Sequence, residues 1–130
     1  MKIAIATREF SVVSGHAGQV RQWLLYDLTQ HQPSQLLPAP QRIDLEKDQV
    51  LHVFEDDRPH PLDGIDIVVA ASAGDGFVRH MRKRGAQVLI TGESDPLTAL
   101  SHILAGQALP PPGFDISTTL CKLRDLFSRH

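Results

Sequence analysis

The sequence predicts a layered α/β domain built on a mixed sheet, and three observations carry that expectation. The first half holds strand-like apolar runs separated by turns and a proline-rich loop. The second half alternates strand, helix, strand and helix with glycines at the breaks, which favours a parallel strand pair with a right-handed crossover. The composition, 42% hydrophobic and 22% charged over 130 residues, is that of a folded chain with room for one ordinary core.

Taken in order, Lys2 to Thr7 is apolar and rich in strand formers until Arg8-Glu9, so it reads as the first strand. Trp23 to Leu28 is the second. The stretch from His31 to Pro40 holds three prolines and reads as a loop. Arg42–Leu45 and Val50–Phe54 are short strand-like pieces around the polar turn Glu46-Lys47-Asp48, and at least one should pair with the second strand. Ile65 to Ala71 is nearly continuous in apolar residues, the mark of a strand covered on both faces. After Ser72-Ala73-Gly74-Asp75-Gly76, the spacing of Phe77, Val78 and Met81 predicts a helix that stops at Gly85. Gln87 to Thr91 is a further strand. Ser94 or Asp95 caps a second helix with Pro96 in its first turn, running to about Leu104 before Gly106. Beyond the prolines 110–112, Ile116, Leu120, Leu123, Leu126 and Phe127 draw one apolar helical face, capped by Asp115 or Ser117. The chain thus divides into an α/β domain, 1–106, and a linker with an appended helix, 107–130, whose stripe must dock on its own domain or on a partner.

Charge and cysteine usage narrow the function classes. Thirteen basic against fifteen acidic side chains give −2, so neither nucleic acid nor an anionic membrane is expected as a partner. A lone cysteine, Cys121, excludes an intrachain disulfide and a four-thiolate iron–sulfur site in a monomer. No apolar run approaches the roughly 20 residues of a membrane span, and Met1-Lys2 leads into a strand without a signal-peptide pattern. A soluble cytoplasmic domain is the expectation.

Three loops at strand ends are the places where chemistry can live. In Ser14-Gly15-His16-Ala17-Gly18, small neighbours leave the imidazole little covered, and a neutral imidazole is a metal ligand. A solvated turn histidine is the plainer alternative. The turn Gly74-Asp75-Gly76 lies between a buried strand and a helix start, where backbone N–H groups and the helix dipole favour an anion. It lacks the endings of a P-loop or a dinucleotide fingerprint, and a tight turn with Asp75 as cap is the alternative. In Thr91-Gly92-Glu93-Ser94-Asp95, helix capping accounts for most residues. Asp27, Asp44, Asp63 and Asp66 could group as metal-binding carboxylates, though a capping Asp is ordinary at each place. His52, His60 and His102 are scattered without zinc spacing, His80 borders an apolar helix face, and Arg79, Arg82, Lys83 and Arg84 read as a solvated basic face.

The opening Met1-Lys2-Ile3-Ala4-Ile5-Ala6, the loop Ser14-Gly15-His16-Ala17-Gly18 and the segment Trp23-Leu24-Leu25-Tyr26-Asp27 resemble the start of the dinitrogenase iron–molybdenum cofactor biosynthesis family, which includes NifX-type and NafY-type carriers and the tail domain of NifB. Leu62-Asp63-Gly64-Ile65-Asp66-Ile67-Val68-Val69, the turn at Gly74 and Lys83-Arg84-Gly85-Ala86-Gln87-Val88 are similar to its second half. The resemblance covers about residues 1–105. It implies a ribonuclease-H-like α/β/α fold with a mixed five-stranded sheet, no enzymatic activity, and carriage of a preassembled iron–sulfur cofactor of the iron–molybdenum type, or its precursor, towards nitrogenase or cofactor-assembly proteins. The family's cluster-associated histidine falls on His16, which would be the metal ligand. Gly15, Gly18, Gly74, Asp75, Gly76 and Arg8, with Arg21 nearby, would complete the cofactor-binding surface. Ala17 stands where the family usually has phenylalanine, which removes an aromatic wall or packing anchor. Two other functions compete: an anion- or small-molecule-binding regulatory domain using the Gly74 turn without metal, and a ribonuclease-H-like enzyme using the aspartates.

Overall fold

The computed structural model describes residues 1–32, 36–51 and 59–110. Strand β1 (Lys2–Arg8) organises everything else. It pairs antiparallel with β3 (Gln22–Asp27), which pairs antiparallel with β4 (Gln41–Asp44). On its other side β1 runs parallel to β5 (Ile67–Ala70), and β5 runs parallel to β6 (Gln87–Ile90). The sheet order is therefore β4-β3-β1-β5-β6, a mixed sheet with the parallel pair joined through a helix, as the second half of the sequence predicts.

Burial explains why β1 reads as continuously apolar. Ile3 and Ile5 join Leu24, Tyr26 and Val69 on one face, under Ala99 and Leu100 of α2 (Pro96–Leu104). Ala4 and Ala6 join Trp23, Leu25, Val68 and Ala70 on the other face, under Phe77 and Met81 of α1 (Asp75–Lys83). Alternate side chains of one strand thus enter two cores, each covered by a helix. Ile3 and Ile5 are fully buried, each such side chain stabilising the fold by about 1.5–3 kcal/mol. The outer strand β4 buries only Ile43, so it shows the alternation of a strand covered on one side.

The helix ends follow local chemistry. α1 stops before Gly85, whose φ of +84° suits glycine at the end of a helix. Asp95 caps α2 by accepting from the Thr98 N–H at 3.0 Å, with Pro96 in the first turn. Among the described residues no helix is long and apolar enough to cross a membrane.

Two expectations need correction. The sheet has six strands rather than five: Val12–Val13 forms β2, which folds back antiparallel onto the end of β1. Two residues are too few to register as a periodic pattern, and the reversal is made by a tight turn in which the Ser11 N–H donates to the Arg8 carbonyl at 3.1 Å. That turn holds Glu9 and Phe10 at φ of +56° and +59° without a glycine, so nothing in the sequence flags it. Val50 and Leu51 belong to a turn region rather than a strand, and the rest of the Val50–Phe54 piece lies outside the described residues. So does the appended helix, with Cys121. The linker before it packs back on the domain: Leu109 lies against the α2-side core, and the Pro110 carbonyl accepts from the Gly92 N–H at 2.9 Å and the Thr91 hydroxyl at 3.0 Å.

Candidate functional site

β1 and β5 are parallel, so the His16 loop, which leaves β2 alongside the end of β1, and the loop after β5 lie at the same end of the sheet and meet. The Ala71 N–H donates to the Ser14 carbonyl at 2.9 Å, and the Ser14 N–H donates to the Ala6 carbonyl at 2.8 Å. Ser72 is the bracket between the loops. Its hydroxyl accepts the His16 N–H at 2.8 Å, and its carbonyl accepts the Ala17 N–H at 3.1 Å. Gly15 permits this approach, because a Cβ there would fall 2.6 Å from the Ser72 hydroxyl oxygen that holds His16.

His16 itself carries the unusual conformation, at φ 54° and ψ 52°, while neither Gly15 nor Gly18 takes a positive φ. A left-handed conformation costs a side-chain-bearing residue about 1–2 kcal/mol, with histidine among the types that visit it more often. The backbone reversal turns the exposed His16 outwards and starts a short 3-10 helix, Ala17–Gln19, that contains Gly18. Ala17 points the opposite way and is completely buried in the α1-side core with Trp23 and Phe77. The position that the family resemblance marks as a lost aromatic is therefore a packing position rather than the wall of an open site.

Beside His16 lies an open cleft of about 500 Å³ whose walls come from three adjacent strands. The pairing Thr7↔Gln22↔Asp44 sets those residues in a row across β1, β3 and β4, and all three line the cleft. Arg8, Gly15, Gln19 and Arg21 complete its polar rim. Arg21 is anchored, its Nε donating to the Leu45 carbonyl at 2.7 Å and its terminal nitrogen standing 3.9 Å from Asp44. Arg8 is exposed at the end of β1, which leaves its guanidinium available to a ligand. Two guanidinium groups against one carboxylate give the cleft an excess of positive charge beside an exposed imidazole. Gln19, Gln22 and Thr7 gave no signal in the sequence, and Asp44 stood out only as one of four possible metal-binding carboxylates, since only the strand register brings these residues to His16.

The other predicted site residues fall elsewhere. Gly74, Asp75 and Gly76 adjoin His16 through Ser72 but do not line the cleft. Gly74 rather than Asp75 is the α1 N-cap, without a side-chain cap, and Asp75 is the first helical residue, where its charge complements the helix dipole. The Thr91–Asp95 turn is absorbed by structure: the Ser94 carbonyl accepts the Val13 N–H at 2.8 Å, and Asp95 caps α2. The aspartates are likewise occupied singly. Asp27 accepts from the Thr29 hydroxyl at 2.6 Å, Asp66 accepts the Lys2 N–H at 2.8 Å, and Asp63 pairs with Arg84 and accepts the His60 N–H at 2.8 Å. Buried His60 uses both ring nitrogens, accepting the Leu62 N–H at 3.0 Å and donating to the Gln49 carbonyl at 2.7 Å. Among the described residues no three His, Cys, Asp or Glu side chains gather as a ligand set for a bare metal ion. Two acids with displaced titrations lie at the other end of β3, away from the cleft. Burial and then the charge of Asp95 push the Tyr26 hydroxyl up from its ordinary value. The Thr29 hydroxyl and N–H hold the Asp27 carboxyl below its own.

The family model described as dinitrogenase iron-molybdenum cofactor matches residues 1–106. The chain belongs to that family. No curated protein sequence matches it. Among solved structures, the crystal structure of PH0822 aligns at a TM-score of 0.60 and 19% identity, over 88% of this chain and 98% of that one. The apo form of the orange protein from Desulfovibrio gigas aligns at 0.57 and 16%, over 82% of this chain and 88% of that one. A Thermotoga protein of the DUF35 family, TM1290, aligns at 0.55 and 13%, over 82% and 89%. At such identities these likenesses speak for the fold. Membership of the iron–molybdenum cofactor family, from the family match, ties the chain to the biosynthesis of that cofactor.

Proposed function

We propose that the protein is a non-enzymatic, cytoplasmic carrier of an iron–sulfur cofactor of the iron–molybdenum type, or of its precursor, in nitrogenase cofactor biosynthesis. The observation that carries this reading is the pairing of an exposed, left-handed His16 with the arginine-bearing cleft beside it. A preassembled cluster brings its own sulfides and negative charge, so it needs few protein ligands. One imidazole can bind a metal of the cluster, and Arg8 and Arg21 can balance its charge. Gly15 and Ser72 set the imidazole at the mouth of the cleft. Attachment through one side chain and an open surface is reversible, which delivery to a nitrogenase or an assembly protein requires. The strand order, the antiparallel β1–β3 pair and a helix on each face support placing the domain among ribonuclease-H-like α/β/α folds.

The test is anaerobic mixing with iron–molybdenum cofactor extracted from nitrogenase, followed by gel filtration. Broad visible absorbance should elute with the wild-type protein and be lost from His16→Ala. Equal retention by His16→Ala would remove His16 as the ligand, and no retention by wild type would remove the carrier reading.

A further inference from the structure

α1 and α2 cover opposite faces of the sheet, yet only α1 has the outer surface of a helix that ends in water. Its exposed residues include Asp75, Arg79, Arg82 and Lys83. α2 carries no Asp, Glu, Lys or Arg, and His102 is its one ionisable side chain. Its outward ridge is Leu97, 50% exposed, then Ser101, then Leu104, 40% exposed, at the i, i+4, i+7 spacing of one helix side. The Ser101 hydroxyl turns back to donate to the Leu97 carbonyl at 2.9 Å, which leaves the ridge with little polarity. Next to Leu97 opens an apolar hollow of about 500 Å³ lined by Tyr26, Leu37, Pro38 and Pro40, with Leu36 96% exposed at its edge. An outward ridge that carries two exposed leucines beside an apolar hollow is a joined apolar patch, and such a patch marks a contact surface.

The course of the chain indicates what covers it. Leu109 packs on the same face as α2, and Pro110 is bonded to Thr91 and Gly92, just ahead of the start of α2 at Pro96. Residues 111–130 therefore begin near the start of the apolar ridge. Residues 111–115 can span up to roughly 17 Å when extended, and a helix over 116–127 would be about 18 Å long, enough to run the length of α2. The stripe of Ile116, Leu120, Leu123 and Phe127 has Thr118, Lys122 and Asp125 on its opposite side, so one side can bury while the other meets water. Tethering gives this stripe an effective concentration in the millimolar range, which favours it over a separate partner. We propose that residues 116–127 form a helix that lies along the outer side of α2 in the same chain, covering Leu97 and Leu104.

Cys121 is the chain's one cysteine and supplies the probe. A nitroxide on Cys121 of the full-length, isotope-labelled protein should broaden amide resonances of residues 97–104, while those of α1, across the sheet, keep their intensity. Mixing spin-labelled chains with separate isotope-labelled chains should give no broadening. Leu97→Asp with Leu104→Asp should abolish the effect and leave the sheet resonances in place. Without any label, Leu120→Asp with Leu123→Asp should raise hydrogen exchange across 97–104 at least about tenfold, as expected for loss of a covering layer. The proposal is overturned if α2 is spared by the nitroxide, if broadening arises only between chains (a second copy on the ridge), or if the Leu120/Leu123 variant leaves exchange unchanged.

Discussion

The His16 loop and the Gly74 turn sit side by side at one end of the sheet, and Ser72 belongs to both through its hydrogen bonds. As sequences they invite the same reading, small residues after a strand with a ligand-capable group among them. As structures they differ. The His16 loop bends through an unfavourable backbone conformation and presents its side chain beside a charged cleft. The Gly74 turn runs into α1 at an ordinary φ of −77°, and a Cβ at Gly74 or Gly76 would meet open space. A glycine beside a strand end is thus weak evidence of a site. A side-chain-bearing residue held left-handed beside a cleft is stronger, because the fold maintains it at a cost.

The largest effect that would break this comparison is at His16. His16→Ala should weaken binding of the extracted cofactor at least about tenfold, on the order of 1.4 kcal/mol, as the metal–imidazole bond is lost. His16→Gly sharpens the point. Glycine relieves the left-handed strain, so its melting temperature should equal or exceed that of wild type while binding falls as far as in His16→Ala. A glycine variant that melts well below wild type would show that the imidazole supports the fold instead.

Gly15→Ala comes next. Ser72 would have to move from the added methyl and release the His16 N–H, costing about 1 kcal/mol of stability. Cofactor binding should fall severalfold although no ligand has been removed, readable by titration beside a denaturation curve. Wild-type affinity in this variant would mean that the loop need not be clamped.

Much of this contrast was visible before the fold was known, and part could not be. The stop at Gly85 and the Asp95 cap rest on contacts between near neighbours, which leave patterns in a sequence, and the parallel pair β5–β6 follows from the strand–helix–strand order of one short stretch. The position of His16 also stood out, for its small flanking residues. Its conformation did not, because the glycines that suggested flexibility are not the residues that take the positive φ. The cleft was hidden for another reason. Thr7, Gln22 and Asp44 come from three strands and meet through register, which depends on the whole sheet. The same holds for Ala17, whose burial under the sheet follows from where the loop lands.

The charge on the cleft should matter less than the imidazole. Arg8→Gln should weaken binding about two- to fivefold, in keeping with an exposed charge pair worth ~0.5–1 kcal/mol. That difference should shrink in about 0.5 M salt, where exposed charges are screened. Persistence of the full loss at high salt would point to a direct hydrogen bond in place of a charge effect. On the other loop, Gly76→Ala should stabilise the protein by about 0.5–1 kcal/mol through helix propensity and leave binding within about twofold. A tenfold loss from Gly76→Ala or Gly74→Ala would erase the distinction between the loops and make the α1 start part of the site.

The smallest effect lies at the far end of β3, where Asp27 pairs in register with Lys2, distant from the cleft. The Thr29 hydroxyl and N–H both donate to its carboxylate, so the charged form is favoured and the Asp27 titration lies below the ordinary aspartate value. A depressed carboxyl pKa in the folded state adds stability that is present above the unfolded value and lost as pH falls through the folded one. The affected window is therefore acidic, below about pH 4. Carbon-detected NMR titration should place the Asp27 midpoint below 3.8, and Thr29→Ala should move it up towards that value. Cofactor binding near neutral pH should not change, since Asp27 stays ionised with or without Thr29. If Thr29→Ala left the midpoint in place, the hydrogen bonds would not be what holds it down, and attention would pass to the weaker attraction of Lys2 and the N-terminal amine.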